Sequence, residues 1–373
     1  MRRRVSTRRE RRKRLPGSTL RSAAALTPAT LIVGPSWVGD MVMAQALFKL
    51  LKARDPDQAL DVLAPSWSLP IVARMPEVRR GIAAETGHGE IGLGKRRRIA
   101  RSLREEGYAR AIVLPRSFKS ALIPWLARIP RRTGFRGESR FGLINDVRAF
   151  DPIELDQTVK RFLALGVDDA KSGSQPSAAA HFPRLTVDKE RQRALLATLQ
   201  LENELPVIAM MPGAEYGPAK CWPHEYFAKL AAYLGEAGYV VWVLGSEKDS
   251  GAGEAIAASS PAINLCGRTS LADVIDLLGC AEQAVSNDSG LMHIAAAVGS
   301  HVHGVYGSSS PHFTPPLTER CDVHHLDLEC SPCFERVCPL GHLRCLKDLQ
   351  PETILERIRQ ASDNADTLGD KAD

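Results

Sequence analysis

The chain has 373 residues, 44% of them hydrophobic and 25% charged, with a formal net charge of +6. That length holds two α/β cores, and no stretch approaches the roughly 18–20 consecutive apolar residues that cross a bilayer. Nine Arg and one Lys against Glu10 place +9 in residues 1–28, leaving about −3 on the rest of the chain. An acidic body argues against a nucleic-acid-binding protein, which would carry a basic footprint on the fold itself.

The tail, residues 1–28, has no apolar periodicity and no apolar core behind its basic block. It is expected to be disordered and not a secretory signal. Such a tail would be drawn to an anionic membrane surface or to nucleic acid; the alternative is a dispensable extension ahead of the true start. "TLIVG" (30–34) then reads as a buried parallel strand. A helix is expected over 41–54, with Met43, Leu47 and Leu51 on one face. Strand, glycine turn and helix open a nucleotide-binding unit, yet G-x-G-x-x-G is missing. Asp40 stands where a pyrophosphate would dock on helix amides.

"LDVLAP", "GIAAE" and "ARAIVLP" continue as short strands, with a helix over 95–106. "RSFKSALIPWLARIPRRTGFRG" (116–137) mixes Arg, Lys, Phe and Trp and reads equally as a basic, partly aromatic surface for an anionic ligand or as one amphipathic helix plus a strand. The polar stretch 167–184 reads as a linker. After it the rhythm restarts: a strand in 206–214, a helix over 224–237 and a strand in 239–246. Strands in "AINLCG", "QAVSND" and "HVHGVYG" follow, separated by helices from about 270 and 290. The fold class is α/β, two Rossmann-like domains facing a cleft, with ligands off the carboxyl ends of the strands. The expected domains are 29–175 and 183–350, followed by a helix and tail over 351–373.

Three strand-end loops in the second half carry candidate chemistry. In "VSNDSGLMHIAAAVG" (285–299), Asn287, Asp288, Ser289 and Gly290 cap a helix expected from about Leu291. Its amides and dipole suit a phosphate, although Asp and Ser are favoured N-caps anyway. His293 would face a ligand or fill the wall between the domains. In "MMPGAEYGPAKCWPHEYFAKLAAYL" (210–234), Lys220 could neutralise a pyrophosphate as a point charge, or be a solvated surface lysine. In "LGSEKDS" (244–250), Glu247 could accept from ribose hydroxyls.

"VGPSWVGDMVMAQALFKLLK", "PGAEYGPAKCWP", "SNDSGLMHIAAA" and "YGSSSPHFTPPL" occur in this order. Together they make residues from about 30 to 362 resemble the ADP-heptose:lipopolysaccharide heptosyltransferases. Cys221 departs from the pattern, standing where a basic residue is expected. The resemblance implies a GT-B fold, with the acceptor on the first domain and the nucleotide sugar on the second. It implies that Asp40, in the Gly39-Asp40 turn, is the catalytic base of an inverting transfer. Lys220 and the amides of the 288–291 turn would hold the departing ADP. Asp288 would contact heptose hydroxyls, with Ser289, Gly290 and His293 beside it, and Glu247 would read the ribose. A helix-capping role for Asp40 is the alternative. The resemblance further implies ADP-heptose as donor, a lipid A-anchored inner-core acceptor and no catalytic cofactor. The expected setting is a monomer in the cytoplasm, peripheral to the cytoplasmic face of the anionic inner membrane. A transferase acting on another core acceptor is the nearest rival, and a nucleic-acid-binding protein a more distant one.

"CSPCFERVCPLGHLRC" gathers Cys330, Cys333, Cys338 and Cys345 around His342. The opening Cys-x-x-Cys has zinc-like spacing, but the later intervals are not those of a standard finger. A structural zinc or reduced, packed thiols both fit, since a cytoplasmic chain does not keep stable disulfides.

Overall fold

The computed structural model describes residues 29–84, 92–167, 176–201 and 204–369, with side chains to residue 364. The basic tail and residues 168–175 of the linker lie outside the described residues.

The first domain contributes β1 (Thr30–Val33), β2 (Leu60–Ala64), β3 (Arg80–Ala83), β4 (Arg110–Val113), β5 (Arg131–Phe135) and β6 (Asp146–Arg148). They form one parallel sheet in the order β3-β2-β1-β4-β5-β6. The second contributes β7 (Val207–Met211), β8 (Val240–Val243), β9 (Ile263–Asn264), β10 (Gln283–Asn287), β11 (His301–Tyr306) and β12 (Cys321–His325). Their order, β12-β11-β10-β7-β8-β9, repeats the same doubly wound pattern. β1, β2, β7 and β10 are buried along their whole length. Continuous Val, Ile, Leu and Met runs suit strands covered by helices on both faces.

Sequence and structure part company in four places. β6 and β12 were not anticipated, because they are short, polar edge strands without an apolar run. The first helix starts at Val38 rather than 41, so Asp40 lies in its first turn instead of ahead of it. The described end of the linker is bound down: Leu185 N donates to Ala297 O at 2.9 Å, and Gln45 both accepts from Arg184 N and donates to Arg184 O. Finally, the Pro351–Gly369 helix buries Ile354, Leu355 and Ile358 in the core that also holds Trp222, Phe227 and Leu230.

In each sheet the winding direction reverses next to the first strand, between β1 and β4 and between β7 and β10. Loops leaving these strands diverge there and open a crevice at the carboxyl ends.

Candidate active site

The two crevices face each other across a backbone contact. The Val38–Arg54 helix leaves β1 through Gly34-Pro35-Ser36-Trp37, and the Gly290–Val298 helix leaves β10 through Asp288-Ser289. Their N-terminal turns meet at Gly39 and Gly290. A Cβ on Gly39 would stand 2.7 Å from His293 Cδ2, and one on Gly290 would stand 2.7 Å from Val38 Cβ. Neither position has room for a side chain. The Trp37 and Ser289 side chains make no cap hydrogen bond, so both helix ends direct free amides and positive dipole ends toward the cleft.

Asp40 lies one residue beyond Gly39. Among the described residues its carboxylate accepts no hydrogen bond, and burial pushes its pKa up to about 6. The Asp288 charge raises it further, while Lys220 and Arg161 oppose the rise. At neutral pH such a carboxylate is ionised but more basic than a solvated one, as a proton acceptor requires. Lys220, in the Pro218–Lys220 turn after β7, places Nζ 2.5 Å from Asp288 Oδ2 and 5.4 Å from the Tyr216 ring centroid. Two oppositely charged side chains thus flank the β7/β10 crevice.

Asn287 holds that crevice together. Its Oδ1 accepts from Trp222 N at 3.0 Å and its Nδ2 donates to Pro212 O at 2.6 Å. Both ends of the loop carrying Lys220 are therefore tied to the end of β10. Ser289 Oγ lies 3.2 Å from Ser286 Oγ. His293 is buried against Gly39, and desolvation lowers its pKa to about 4, so its ring is neutral at physiological pH. Glu247 is exposed in the Glu247–Asp249 turn after β8, the strand next to β7.

Sequence reasoning missed one residue of this cleft, Arg161, and the role of another, Asn287. Arg161, on the Thr158–Leu165 helix of the first domain, lies over Phe313 of the second, 4.5 Å from the ring centroid, and 5.3 Å from that of Phe150. Its charge acts on Asp40. Within "TVKRFLAL" it reads as one cation on an amphipathic helix, and nothing local marks it. Asn287 was read as part of a cap; its bonds to Trp222 and Pro212 depend on strand neighbours 65 and 75 residues away.

The β1/β4 crevice holds a pocket of about 100 Å³ lined by Gly34, Ser36, Trp67, Arg96, Ser117 and Lys119, among others. Trp37 and Trp67 stand exposed at its approach, with Trp67 Nε1 donating to Ser36 O at 3.2 Å. Phe118 and Trp125 are exposed on the adjoining helix.

Cys330, Cys333, Cys338 and Cys345 surround one cavity of about 20 Å³ with His342, Ala219 and Ser308. All four are free thiols. Cys338 is held below the usual thiol range, chiefly by the backbone N–H of Leu343 and also by those of Leu340, Gly341 and His342. The same loop supports the lysine loop, as Ala219 N donates to Arg336 O at 3.1 Å and Phe334 N to Ser308 O at 2.6 Å. Cys221 is half-buried, its thiol 3.8 Å from Gly217 O.

Two facing parallel α/β domains, with a basic carboxylate opposite a cation at a helix N-terminus, define a glycosyl-transferring cleft. The model of glycosyltransferase family 9 (heptosyltransferase) matches residues 96–344, and the chain belongs to that family. It is 43% identical to "Lipopolysaccharide heptosyltransferase 2" of Salmonella typhimurium, over 88% of this chain and 97% of that protein. The protein of the same name from Escherichia coli is 42% identical over 88% of this chain and 97% of its own length. The solved structure of E. coli ADP-heptose LPS heptosyltransferase II superposes with a TM-score of 0.79 at 40% identity, covering 91% of this chain and all of that one. The resemblance stated from four sequence motifs is thus borne out, as are the GT-B architecture and the glycosyltransferase class.

Proposed function

We propose that this chain transfers heptose from ADP-L-glycero-D-manno-heptose to the first heptose of the lipopolysaccharide inner core, the activity of heptosyltransferase II. The observation that carries the reading is the Asp40 carboxylate, unbonded and basic, facing Lys220 and Asp288 across the Gly39–Gly290 contact.

In the proposed reaction the donor's diphosphate lies over the Gly290–Val298 helix N-terminus and competes with Asp288 for Lys220. Glu247 accepts from the ribose, while Asp288 and Ser289 orient the heptose. Asp40 takes the proton of the acceptor hydroxyl as its oxygen forms a bond to the anomeric carbon. The bond from that carbon to the ADP oxygen breaks on the opposite side, giving inversion. Lys220 and the amides of the 288–291 turn stabilise charge arriving on ADP. Protein groups carry each of these steps.

The acceptor is proposed to occupy the β1/β4 crevice, whose Arg96, Lys119 and tryptophans suit an anionic saccharide joined to a lipid. No helix among the described residues is long and apolar enough to cross a membrane. Contact with the cytoplasmic face of the inner membrane is proposed to be peripheral. The chain is proposed to work there as a monomer. The four-cysteine loop is proposed as a brace for Lys220, built on reduced, packed thiols or on a structural zinc. Zinc in untagged protein that Cys333→Ser loses along with thermal stability, with KM for ADP-heptose of the folded fraction unchanged, would select the metal.

Incubation with ADP-heptose and a set of truncated core acceptors, followed by mass spectrometry, tests the reading. One added heptose on the mono-heptosylated core alone supports it. Transfer only to another core acceptor would assign the chain to a different heptosyltransferase.

A further inference from the structure

The second sheet carries a histidine cluster that the transfer reaction does not use. On β11, His301 and His303 point to the face covered by the Pro351–Gly369 helix, their rings stacked with centroids 5.0 Å apart. β12 pairs in parallel beside it, with His303 opposite Asp322 and Val305 opposite His324. His301 Nε2 lies 2.8 Å from Asp322 Oδ2, His303 Nδ1 lies 3.8 Å from the same oxygen, and His324 Nε2 lies 3.3 Å from His303 Nδ1. Among the described residues, His301, His303 and Asp322 are the one group of three or more whose ligand atoms all fall within 4.8 Å of one another.

We propose that His301, His303 and Asp322 bind a divalent transition-metal ion of the zinc class, joining β11 to the edge strand β12, with His324 packed beside His303.

Geometry supports this first. Zinc bonds of about 2.0–2.1 Å in a tetrahedron separate the ligand atoms by about 3.3 Å. The separations of Asp322 Oδ2 from His301 Nε2 and His303 Nδ1, 2.8 and 3.8 Å, lie on either side of that value. Protonation agrees. Gln283 donates through Nε2 to Ile358 O and Ser362 Oγ, which turns its Oε1 toward His303 Nε2 at 2.8 Å. His303 must donate through Nε2, so its Nδ1 lone pair faces the cluster. Arg357 Nε, 3.8 Å from Asp322 Oδ1, leaves Oδ2 to face the cluster. These are the outer partners that metal-binding imidazoles and carboxylates use to fix orientation.

Two imidazoles and one carboxylate form a borderline nitrogen-containing set, which selects zinc, cobalt or nickel over magnesium or calcium. The part-exposed edges of His301 and Asp322, 19% and 24% accessible, let an ion in. β11 runs from His301 to Tyr306, so His301 lies about 16 Å and His303 about 10 Å from the carboxyl end where the cleft begins. The ion would fasten the sheet edge without taking part in glycosyl transfer.

The test uses the full chain, stripped with a chelator and titrated with zinc. Cobalt serves as a spectroscopic stand-in, because thiolate ligation gives intense charge-transfer bands that imidazole and carboxylate ligands do not. Wild-type protein should hold about one more zinc per chain than His303→Gln, while the cobalt–thiolate bands of the two stay equal. Zinc at about a hundredfold excess over Kd should raise wild-type Tm by roughly 5–10 °C more than it raises that of the variant. His301→Gln, at the rim, serves if His303→Gln does not fold. It should weaken zinc binding at least tenfold while heptose transfer keeps its kcat. Equal zinc content and equal Tm response in wild type and both variants would overturn the proposal.

Discussion

The two halves share one strand order but line their crevices with opposite materials. Between β7 and β10 the walls are short, charged and tied, with Lys220 on Asp288 and Asn287 binding both ends of the intervening loop. Between β1 and β4 the walls are aromatic and cationic around an open pocket, with two tryptophans more than two-fifths exposed. A fixed array of dipoles and one cation suits a ligand that is always the same, such as a nucleotide diphosphate. A broad aromatic and basic surface suits a larger partner held by area and charge. The asymmetry agrees with the proposed reaction, in which Asp40, on the open side, would take the acceptor's proton.

The largest expected effect breaks that division at its centre. Asp40→Asn should lower kcat by about 10²–10⁴ with little change in ADP affinity by calorimetry. Its Tm at pH 8 should not fall. A carboxyl whose pKa is raised on folding stabilises the protein only while protonated, and that contribution is lost as pH climbs through about 6. Loss of turnover with retained Tm therefore separates chemistry from folding.

Gly39→Ala comes next, because the new methyl meets the His293 ring. A displacement near 1 Å at the reacting groups costs on the order of 10²-fold in kcat. ADP affinity should survive, since the β7/β10 loops are tied independently of it.

Lys220→Ala should weaken ADP binding by about 10–100-fold, equivalent to about 1.5–3 kcal/mol for a charge-assisted contact. It also removes a charge that holds the Asp40 pKa down. The acid limb of kcat/KM, expected near pH 6 in the wild type, should move upward in this variant. An unmoved limb would mean that Asp40 does not govern it.

Trp67→Ala should have the smallest effect, raising acceptor KM by about 3–10-fold with donor KM unchanged. Equal changes in both would erase the distinction between the crevices.

Most of the fold was legible because parallel strands buried on both faces leave unmistakable apolar runs, such as "TLIVG" and "PVIAMM". Edge strands β6 and β12 were not, since they are short and carry polar residues instead of an apolar run. The candidate site was legible where a loop concentrates its chemistry, as Asp288 to Gly290 do. It was illegible where groups arrive from distant elements. Arg161 meets Phe313 only through contact between the domains. The histidines of "HVHGVYG" read simply as strand, because their company depends on the register of β11 against β12, a pairing no local pattern encodes. The Cys330–Cys345 cluster was visible as spacing, while its support of the lysine loop required the Arg336 and Phe334 backbone bonds.

The Gly39–Gly290 contact also limits how the molecule can move. Side chains accommodate a shift by changing rotamer, but two backbones in direct touch have no such slack. Sliding the domains along each other would drive Val38 into the Gly290 turn or His293 into Gly39. Rotation about the contact moves the outer rims of both crevices while hardly displacing the atoms at the pivot. The crossing therefore behaves as a fulcrum: the cleft can widen for a bulky lipid-linked partner while Asp40, one residue from the axis, keeps its distance from the Gly290–Val298 helix end.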